Sequence, residues 1–268
     1  MSTTVYLSPH FDDMALSVGG LAATGTDAGG YGLCITLFAA PPAPGLPLSG
    51  FAEELHARWG EPDPVAANAL RRAEEQAATR LLGLDLLALT YADAVYRHGR
   101  YNSVADIFGA VHADEAALPA AIAAALDREI GRSAGWDGVT VYAPLGLGGH
   151  VDHQLTFCAA RIMQRAGRPV RYYEDFPYAA VPDALSARLA ALRPARATPT
   201  YHAITATLDR KIAAIAAYPS QISSLFLSQE AMPAAVRDYA AAVAAEAPPA
   251  ARVGGYAERT WEVAGEPA

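Results

Sequence analysis

The chain of 268 residues contains one lysine, Lys211, and only two cysteines, Cys34 and Cys158. A single pair of cysteines in a chain of this length predicts neither a disulfide framework nor a cysteine-rich zinc motif. Both cysteines lie in apolar segments, so we expect buried free thiols that pack as small hydrophobic side chains.

The sequence also lacks a long apolar run and an excess of basic residues. No apolar run approaches the length of a membrane-spanning helix, and an apolar strand pattern begins almost at the first residue, which argues against a signal peptide. We therefore expect no membrane insertion and a cytoplasmic location. The formal net charge of -8 disfavours a nucleic-acid partner, which would need a basic face.

No G-x-G-x-x-G fingerprint stands between a strand and a helix, which disfavours a nicotinamide-dependent oxidoreductase. The patterns that are present alternate between strand and helix and include 52% hydrophobic residues, enough for a sizeable core. We predict a single α/β domain over residues 1–268, with a Rossmann-like, mostly parallel sheet flanked by helices. The predicted strands include 31–40, 84–90, 139–143, 170–176 and a closing edge strand at 256–263, and the predicted helices include 15–28, 64–82, 119–131, 152–166, 208–218 and 233–245.

Two polar clusters follow predicted strands and open predicted helices. The first, in TVYLSPHFDDMALSVGG, carries His10, Asp12 and Asp13, and the second, GLGGHVDH, carries His150 and His153. Ligands bind at the carboxyl ends of the strands in an open α/β sheet, so both clusters are expected to reach one pocket.

His10, Asp13 and His153 would then supply two imidazoles and a carboxylate. That set leaves a position open for water, as catalytic zinc sites do. Asp12 and His150 lie beside the ligands and are the candidates for proton transfer. A plainer alternative is that Asp12, Asp13 and Asp152 only cap helices.

PHFDDMALSVGG followed by GGHVDH closely resembles the LmbE-like, or PIG-L, family of zinc-dependent de-N-acetylases. Further similarity lies in RRAEEQAATRLLG, LTYADAVYR, YYEDFPYA and KIAAIAAYPSQ, which extends the resemblance over most of the chain. The resemblance implies one Zn²⁺ on His10, Asp13 and His153, with Fe²⁺ as a possible replacement, Asp12 as general base, and His150 as acid or electrostatic stabiliser.

The chain departs from the family pattern at Phe11 and Met14, which are not ligand positions, and at Gly148. Mycothiol-type members carry a tyrosine at the position of Gly148 that is thought to help the oxyanion. The resemblance therefore requires any such tyrosine to come from elsewhere in this chain.

Residues beyond the two clusters are expected to contact substrate or support the ligands. The resemblance suggests that one arginine of the 64–82 helix faces the substrate, with Arg72 preferred. Asp93 either receives a sugar hydroxyl or caps the next turn, and the resemblance favours the sugar hydroxyl. The proline-rich stretch after residue 40 is predicted to border the pocket and to bring His56 and Trp59 there, although a surface loop is an equal alternative. Glu174 and Asp175 either support a ligand histidine or cap a helix.

These features predict a metal-dependent hydrolase that removes an N-acetyl or other N-acyl group from an amino sugar in a glycoconjugate or natural-product intermediate. The expected partner is a small-molecule glycoside. Hydrolysis of a thiol conjugate or another small amide is one alternative, and a non-catalytic metal-binding or sugar-binding protein is another. Retention of both proton-transfer candidates argues against a pure binding protein.

Overall fold

Seven strands of the described residues form one sheet. A computed structural model describes residues 2–43, 45–97 and 99–265. The strands are β1 Thr3–Ser8, β2 Tyr31–Thr36, β3 Asp85–Ala88, β4 Val139–Pro144, β5 Val170–Tyr173, β6 Arg196–Ala203 and β7 Ala257–Ala264.

The strand order is β3-β2-β1-β4-β5-β7-β6. The first five strands in this order are parallel to one another, whereas β7 runs antiparallel to both β5 and β6. The predicted single α/β domain with a mostly parallel sheet is thereby confirmed. The chain moves outward from β1 in one direction through β2 and β3 and in the other through β4 and β5, so the crevice between β1 and β4 is the topological switch point.

Helices lie between the strands. The predicted helix at 64–82 is confirmed, with Asp63 accepting from the Ala66 N–H at its start and Gly83 in a left-handed conformation at its end. The helices are α1 Asp13–Asp27, α2 Gly50–Trp59, α3 Pro64–Leu82, α4 Val104–Ile107, α5 Leu118–Ser133, α6 Val151–Arg165, α7 Ala184–Ala191, α8 Leu208–Ala216, α9 Pro219–Leu225 and α10 Met232–Glu246.

The centre of the sheet is buried on both faces. Val5 and Leu7 of β1 belong to a core cluster on one face, and the intervening Tyr6 belongs to a cluster on the other. Because helices cover both faces, the central strands need apolar residues at successive positions. This explains why β1, β2 and β4 have nearly continuous apolar sequences.

Two expectations about the fold are wrong. The strand predicted at 256–263 as a closing edge is an interior strand, β7, and the actual edge is β6, which the sequence did not indicate. β6 contains Pro199 and has no fully buried residue, so it lacks the apolar alternation that marks a half-buried strand. Cys158 is exposed on α6, while Cys34 is buried on β2 as predicted.

Within the described ranges, we find no helix with the length and apolar character needed to cross a membrane.

Candidate metal centre and active site

The loop after β1 has a constrained backbone. Asp12 has φ 138°, a region that non-glycine residues rarely adopt, and its side chain makes no capping hydrogen bond. The Ser8 hydroxyl donates to the His10 carbonyl (2.6 Å) and accepts from the Met14 N–H (3.1 Å), which ties the loop to the start of α1. Asp12 is therefore not an ordinary N-cap, and its strained backbone holds the carboxyl group away from the helix.

Three potential ligand atoms from the two clusters meet at the switch point. Asp13 Oδ2 lies 3.3 Å from His10 Nδ1 and 3.3 Å from His153 Nε2. His153 Nε2 is buried and has no hydrogen-bond partner among the described residues. An orphaned buried nitrogen facing a carboxylate and a second imidazole fits a bound cation, which would accept both nitrogen lone pairs.

A carboxylate holds the other ring nitrogen of each histidine. Asp152 Oδ2 lies 2.9 Å from His10 Nε2, and Asp175 Oδ1 lies 2.6 Å from His153 Nδ1. An imidazole that donates one N–H to a carboxylate presents a lone pair on its other nitrogen, the arrangement that metal-ligating histidines usually have. Both free nitrogens then face Asp13.

The charges at the site favour a cation. Burial opposes protonation of His153, but Asp13 and Asp175 outweigh it and raise the pKa of His153 to about 10. Burial would raise the pKa of Asp13, but His153 and His10 hold it well below its usual value. The carboxylates thus give the site a negative electrostatic potential, which favours a cation. Protons on the imidazole nitrogens satisfy this preference when no metal ion competes for those nitrogens.

His150 differs from the other two histidines, although one of its ring nitrogens lies within 4.8 Å of a ring nitrogen of each of them. Its Nδ1 accepts from the Asp152 N–H at the start of α6 (3.2 Å), which leaves the proton of the neutral ring on Nε2. Burial, together with His10 and His153, lowers the pKa of His150 well below its usual value. A neutral ring with Nε2–H is a hydrogen-bond donor, which suits charge stabilisation better than ligation.

Asp152 was predicted only as a possible helix cap, so its contact with His10 is a correction. Its carboxylate accepts from the Arg97 guanidinium and from the Ala94 N–H, and Arg97 and the histidines lower its pKa despite complete burial. The only feature of the sequence that pointed to this role of Asp152 was its position directly before His153. Of the two acidic residues expected either to support a ligand histidine or to cap a helix, Asp175 contacts the histidine. Glu174 instead accepts hydrogen bonds from Trp261 and Arg259.

A cavity of about 280 Å³ opens beside these groups and is lined by His10, Asp12, Asp13 and His150. Arg71 and Asp93 line the same cavity, with Arg71 Nη1 3.7 Å from Asp93 Oδ2. The preference for Arg72 is therefore not supported by its position, because Arg72 donates to the Ala39 carbonyl (3.1 Å) and does not line the cavity. The apolar periodicity of α3 could not show which of these two adjacent arginines faces the cavity, because both lie at the edge of the buried helix face.

The segment after the proline-rich stretch forms one wall of the cavity. Trp59 of α2 lines it, as predicted, and lies under the Arg71 guanidinium at 4.8 Å from ring centroid to Cζ. His56 does not reach the cavity, because its Nε2 lies 2.8 Å from the Tyr96 hydroxyl and its Nδ1 lies 3.0 Å from the Glu61 carbonyl.

Tyr178 occupies the space that a side chain at position 148 would take. A Cβ atom on Gly148, whose φ is +79°, would lie 2.6 Å from Tyr178 Cγ. The Tyr178 ring lines the cavity and lies 5.9 Å from the His153 ring, edge to face. A phenol from a different segment thus reaches the site where the family resemblance placed a tyrosine at 148.

The fold and the site together define a class of protein. An imidazole–carboxylate centre at the switch point of a parallel sheet, with an unpaired carboxyl group and an imidazole donor beside it, is suited to hydrolysis assisted by a metal ion.

The chain belongs to the family described as PIG-L, GlcNAc-PI de-N-acetylase, whose sequence profile matches residues 5–163. It is 34% identical over 225 residues to 2'-N-acetylparomamine deacetylase of Streptomyces fradiae, covering 81% of this chain and 73% of the relative. It is also similar to A40926 pseudoaglycone deacetylase, with 29% sequence identity. The crystal structure of that protein matches with a TM-score of 0.76 over 99% of this chain and 98% of the other. This chain is 25% identical to the zinc-inhibited form of teicoplanin deacetylase, with a TM-score of 0.80 over 98% of each chain.

Proposed function

We propose that this protein removes an N-acetyl group from an amino sugar carried by a natural-product intermediate. The observation that carries the proposal is the convergence of His10 Nδ1, His153 Nε2 and Asp13 Oδ2 beside the unpaired Asp12 carboxyl. The similarity to deacetylases of an aminoglycoside and of glycopeptide antibiotics supports the choice of an amino sugar.

His10, Asp13 and His153 would hold one divalent ion, for which Zn²⁺ is the first choice because it favours two imidazoles and a carboxylate with an open position. Fe²⁺ suits the same donor atoms and is the alternative. When bound, such an ion lowers the pKa of water and polarises a carbonyl oxygen.

Asp12 acts as the general base that takes a proton from the attacking water. Its carboxyl group has no hydrogen bond to the described residues, and burial next to Asp13 raises its pKa well above the usual value, although Arg71 opposes the shift. A carboxylate with a raised pKa is a better proton acceptor at neutral pH.

His150 and Tyr178 stabilise the oxyanion that develops on the former carbonyl oxygen. The Nε2–H of neutral His150 and the Tyr178 hydroxyl are donors at the cavity wall, on the second-cluster side. Donors placed before the reaction stabilise developing charge without reorganisation. Asp12 then returns its proton to the leaving amine.

Arg71 and Asp93 bind the sugar, with Arg71 taking the role first expected of Arg72. A carboxylate and a guanidinium 3.7 Å apart offer acceptors and donors to neighbouring hydroxyl groups. The Trp59 ring beside Arg71 supplies an apolar surface for the sugar face.

The test is primary-amine release from a panel of N-acetylated glycosides: free N-acetylglucosamine, an N-acetylated aminoglycoside and a glycopeptide bearing an N-acyl amino sugar. We expect release from a glycoside, and loss of at least a hundredfold in the rate of Asp12→Asn because a general base contributes about 10²–10⁴-fold. Asp137→Asn, the same change on an exposed residue, is the matched control. Release from small thiol-conjugate amides but from no sugar would contradict the substrate assignment, and full activity of Asp12→Asn would contradict the base.

A further inference from the structure

Two adjacent glutamates of α3 hold the segment Tyr218–Gln221. The sequence predicts one helix over 208–218, but α8 already ends at Ala216, and Pro219 opens a separate helix, α9. Glu75 accepts from the Tyr218 hydroxyl, and Glu74 accepts from both the N–H (2.9 Å) and the hydroxyl of Ser220. Both glutamates are buried, so these charged hydrogen bonds fix the start of α9.

This arrangement decides which end of the Gln221 amide faces Ser220. The Ser220 hydroxyl gives its only proton to the Glu74 carboxylate and can therefore only accept from Gln221. Gln221 Nε2 donates to Ser220 Oγ at 2.9 Å, and the chain of donors runs from Gln221 through Ser220 to Glu74. The amide carbonyl oxygen of Gln221 points away from this chain and has no hydrogen bond to the described residues.

Gln221 has an exposed fraction of only 5% and lines the catalytic cavity with Asp12. It also shares with Asp12 a narrow recess whose other walls are apolar, formed by side chains such as Leu16, Ile222 and Leu225. The unpaired carbonyl oxygen of Gln221 is free to accept a hydrogen bond within the cavity. Its natural partner is a donor on a molecule in the cavity.

We propose, building on the proposed deacetylation, that the Gln221 carbonyl accepts a hydrogen bond from the N–H of the substrate's acetamide group. Gln221 is then a substrate-contacting residue that makes this protein selective for amides over esters. Glu74 is a positioning residue that acts through Ser220.

The chemistry of amide cleavage strengthens such a contact as the reaction proceeds. The nitrogen loses its conjugation with the carbonyl, gains basicity and receives a proton as the carbon–nitrogen bond breaks. Once protonated, the nitrogen carries positive charge, so its N–H binds a neighbouring acceptor more tightly than the N–H of the planar amide does, and such an interaction raises kcat.

The test compares two substrates that differ by one donor: the N-acetyl glycoside that the wild-type protein cleaves and its analogue with an O-acetyl ester at the same carbon. In Gln221→Met we expect kcat/KM for the amide to fall about tenfold, mainly through kcat, because one hydrogen bond is lost. The ester has no N–H, so its kcat/KM should not change. Gln76→Met, the same substitution at an exposed position of α3, is the control and should affect neither substrate.

Glu74→Gln provides a second variant. Its amide can keep the bond to the Ser220 N–H but donates to the Ser220 hydroxyl, so the relay reverses and Gln221 turns an N–H toward the cavity. We expect the same selective loss on the amide. Equal losses on amide and ester in both variants would overturn the inference, because a structural defect does not distinguish the substrates. If the wild-type protein cleaves no N-acetyl glycoside, the proposed function fails before this comparison is made.

Discussion

At the residue scale, the two carboxylates behind the histidines are as informative as the candidate metal ligands. Asp152 and Asp175 fix the rings of His10 and His153 and leave one nitrogen of each facing Asp13. From the sequence, Asp152 was considered only as a helix cap and Asp175 as either a cap or a support for a histidine, because an aspartate in the first turn of a helix, or just after a strand, is more often a cap.

We predict that Asp152→Asn and Asp175→Asn each weaken Zn²⁺ binding by about 10-fold to 100-fold, since outer carboxylates orient metal ligands and raise their basicity. Competition with a chromophoric chelator measures the affinity. Asp137→Asn should bind Zn²⁺ like the wild-type protein. Unchanged affinity in both buried variants would show that the histidines do not depend on these carboxylates.

A second prediction at this scale concerns pH and His202 of β6, whose Nε2 lies 2.8 Å from Thr260 Oγ1. Burial lowers the pKa of His202 in the folded protein, and Glu258 only partly offsets this. The folded state therefore binds fewer protons than the unfolded state, so the contribution of His202 is fully present above about pH 6.5 and is lost as the pH falls below that value.

The free energy of unfolding of the wild-type protein should thus fall more steeply between pH 7 and pH 5 than that of His202→Gln. The difference in slope is at most about 1.4 kcal/mol per pH unit. Urea unfolding of both proteins across this range measures it. Parallel slopes would contradict the assignment of a lowered pKa.

At the element scale, helix α1 is kinked, and β7 stabilises the kink. Val18 has non-helical dihedral angles, and the Glu258 carboxylate accepts from the backbone N–H groups of Gly20 (3.0 Å) and Leu21 (2.6 Å). Lys211 of α8 pairs with the same carboxylate at 2.7 Å, and both side chains are buried. Lys211, the one lysine of the chain, therefore links α8 to β7 through Glu258, the residue that also binds the kink of α1.

Lys211→Met should lower the free energy of unfolding by about 3–5 kcal/mol, because it leaves Glu258 buried without its cation. The exposed pair Arg171–Glu262, which also involves β7, provides the control: Arg171→Met should cost about 0–1 kcal/mol. Denaturant unfolding of the two variants tests this. Equal costs would mean that burial does not distinguish the two ion pairs.

The elements that were predicted well either carry start and stop signals in their own sequence or lie at the centre of the sheet. Helix α3 carries its own start and stop signals in Asp63, Pro64 and Gly83, and β1, β2 and β4 are buried on both faces. The edge strand β6 has neither signal, because most of its residues are exposed and its pairing partner, β7, follows more than fifty residues later. Long-range pairing of this kind is not encoded in local periodicity.

At the scale of the whole molecule, the topology explains why the convergence of the two polar clusters could be predicted. β1 and β4 are neighbours at the switch point, so the polar clusters that follow them must meet. Residues delivered by other elements were harder to foresee: Tyr178 follows β5, and Gln221 lies on α9. Their positions depend on packing, through Gly148 for Tyr178 and through Glu74 and Ser220 for Gln221.

The central claim is that a metal ion held by His10, Asp13 and His153 serves amide hydrolysis. The most direct measurement is amine release from an N-acetylated aminoglycoside by protein stripped with a chelator and then titrated with Zn²⁺ or Fe²⁺. One equivalent is the decisive point of the titration, because the three residues would hold a single ion. We predict that activity disappears on stripping, returns near one equivalent, and does not return in His153→Ala. Full activity of the stripped protein, or equal restoration of His153→Ala, would contradict the account.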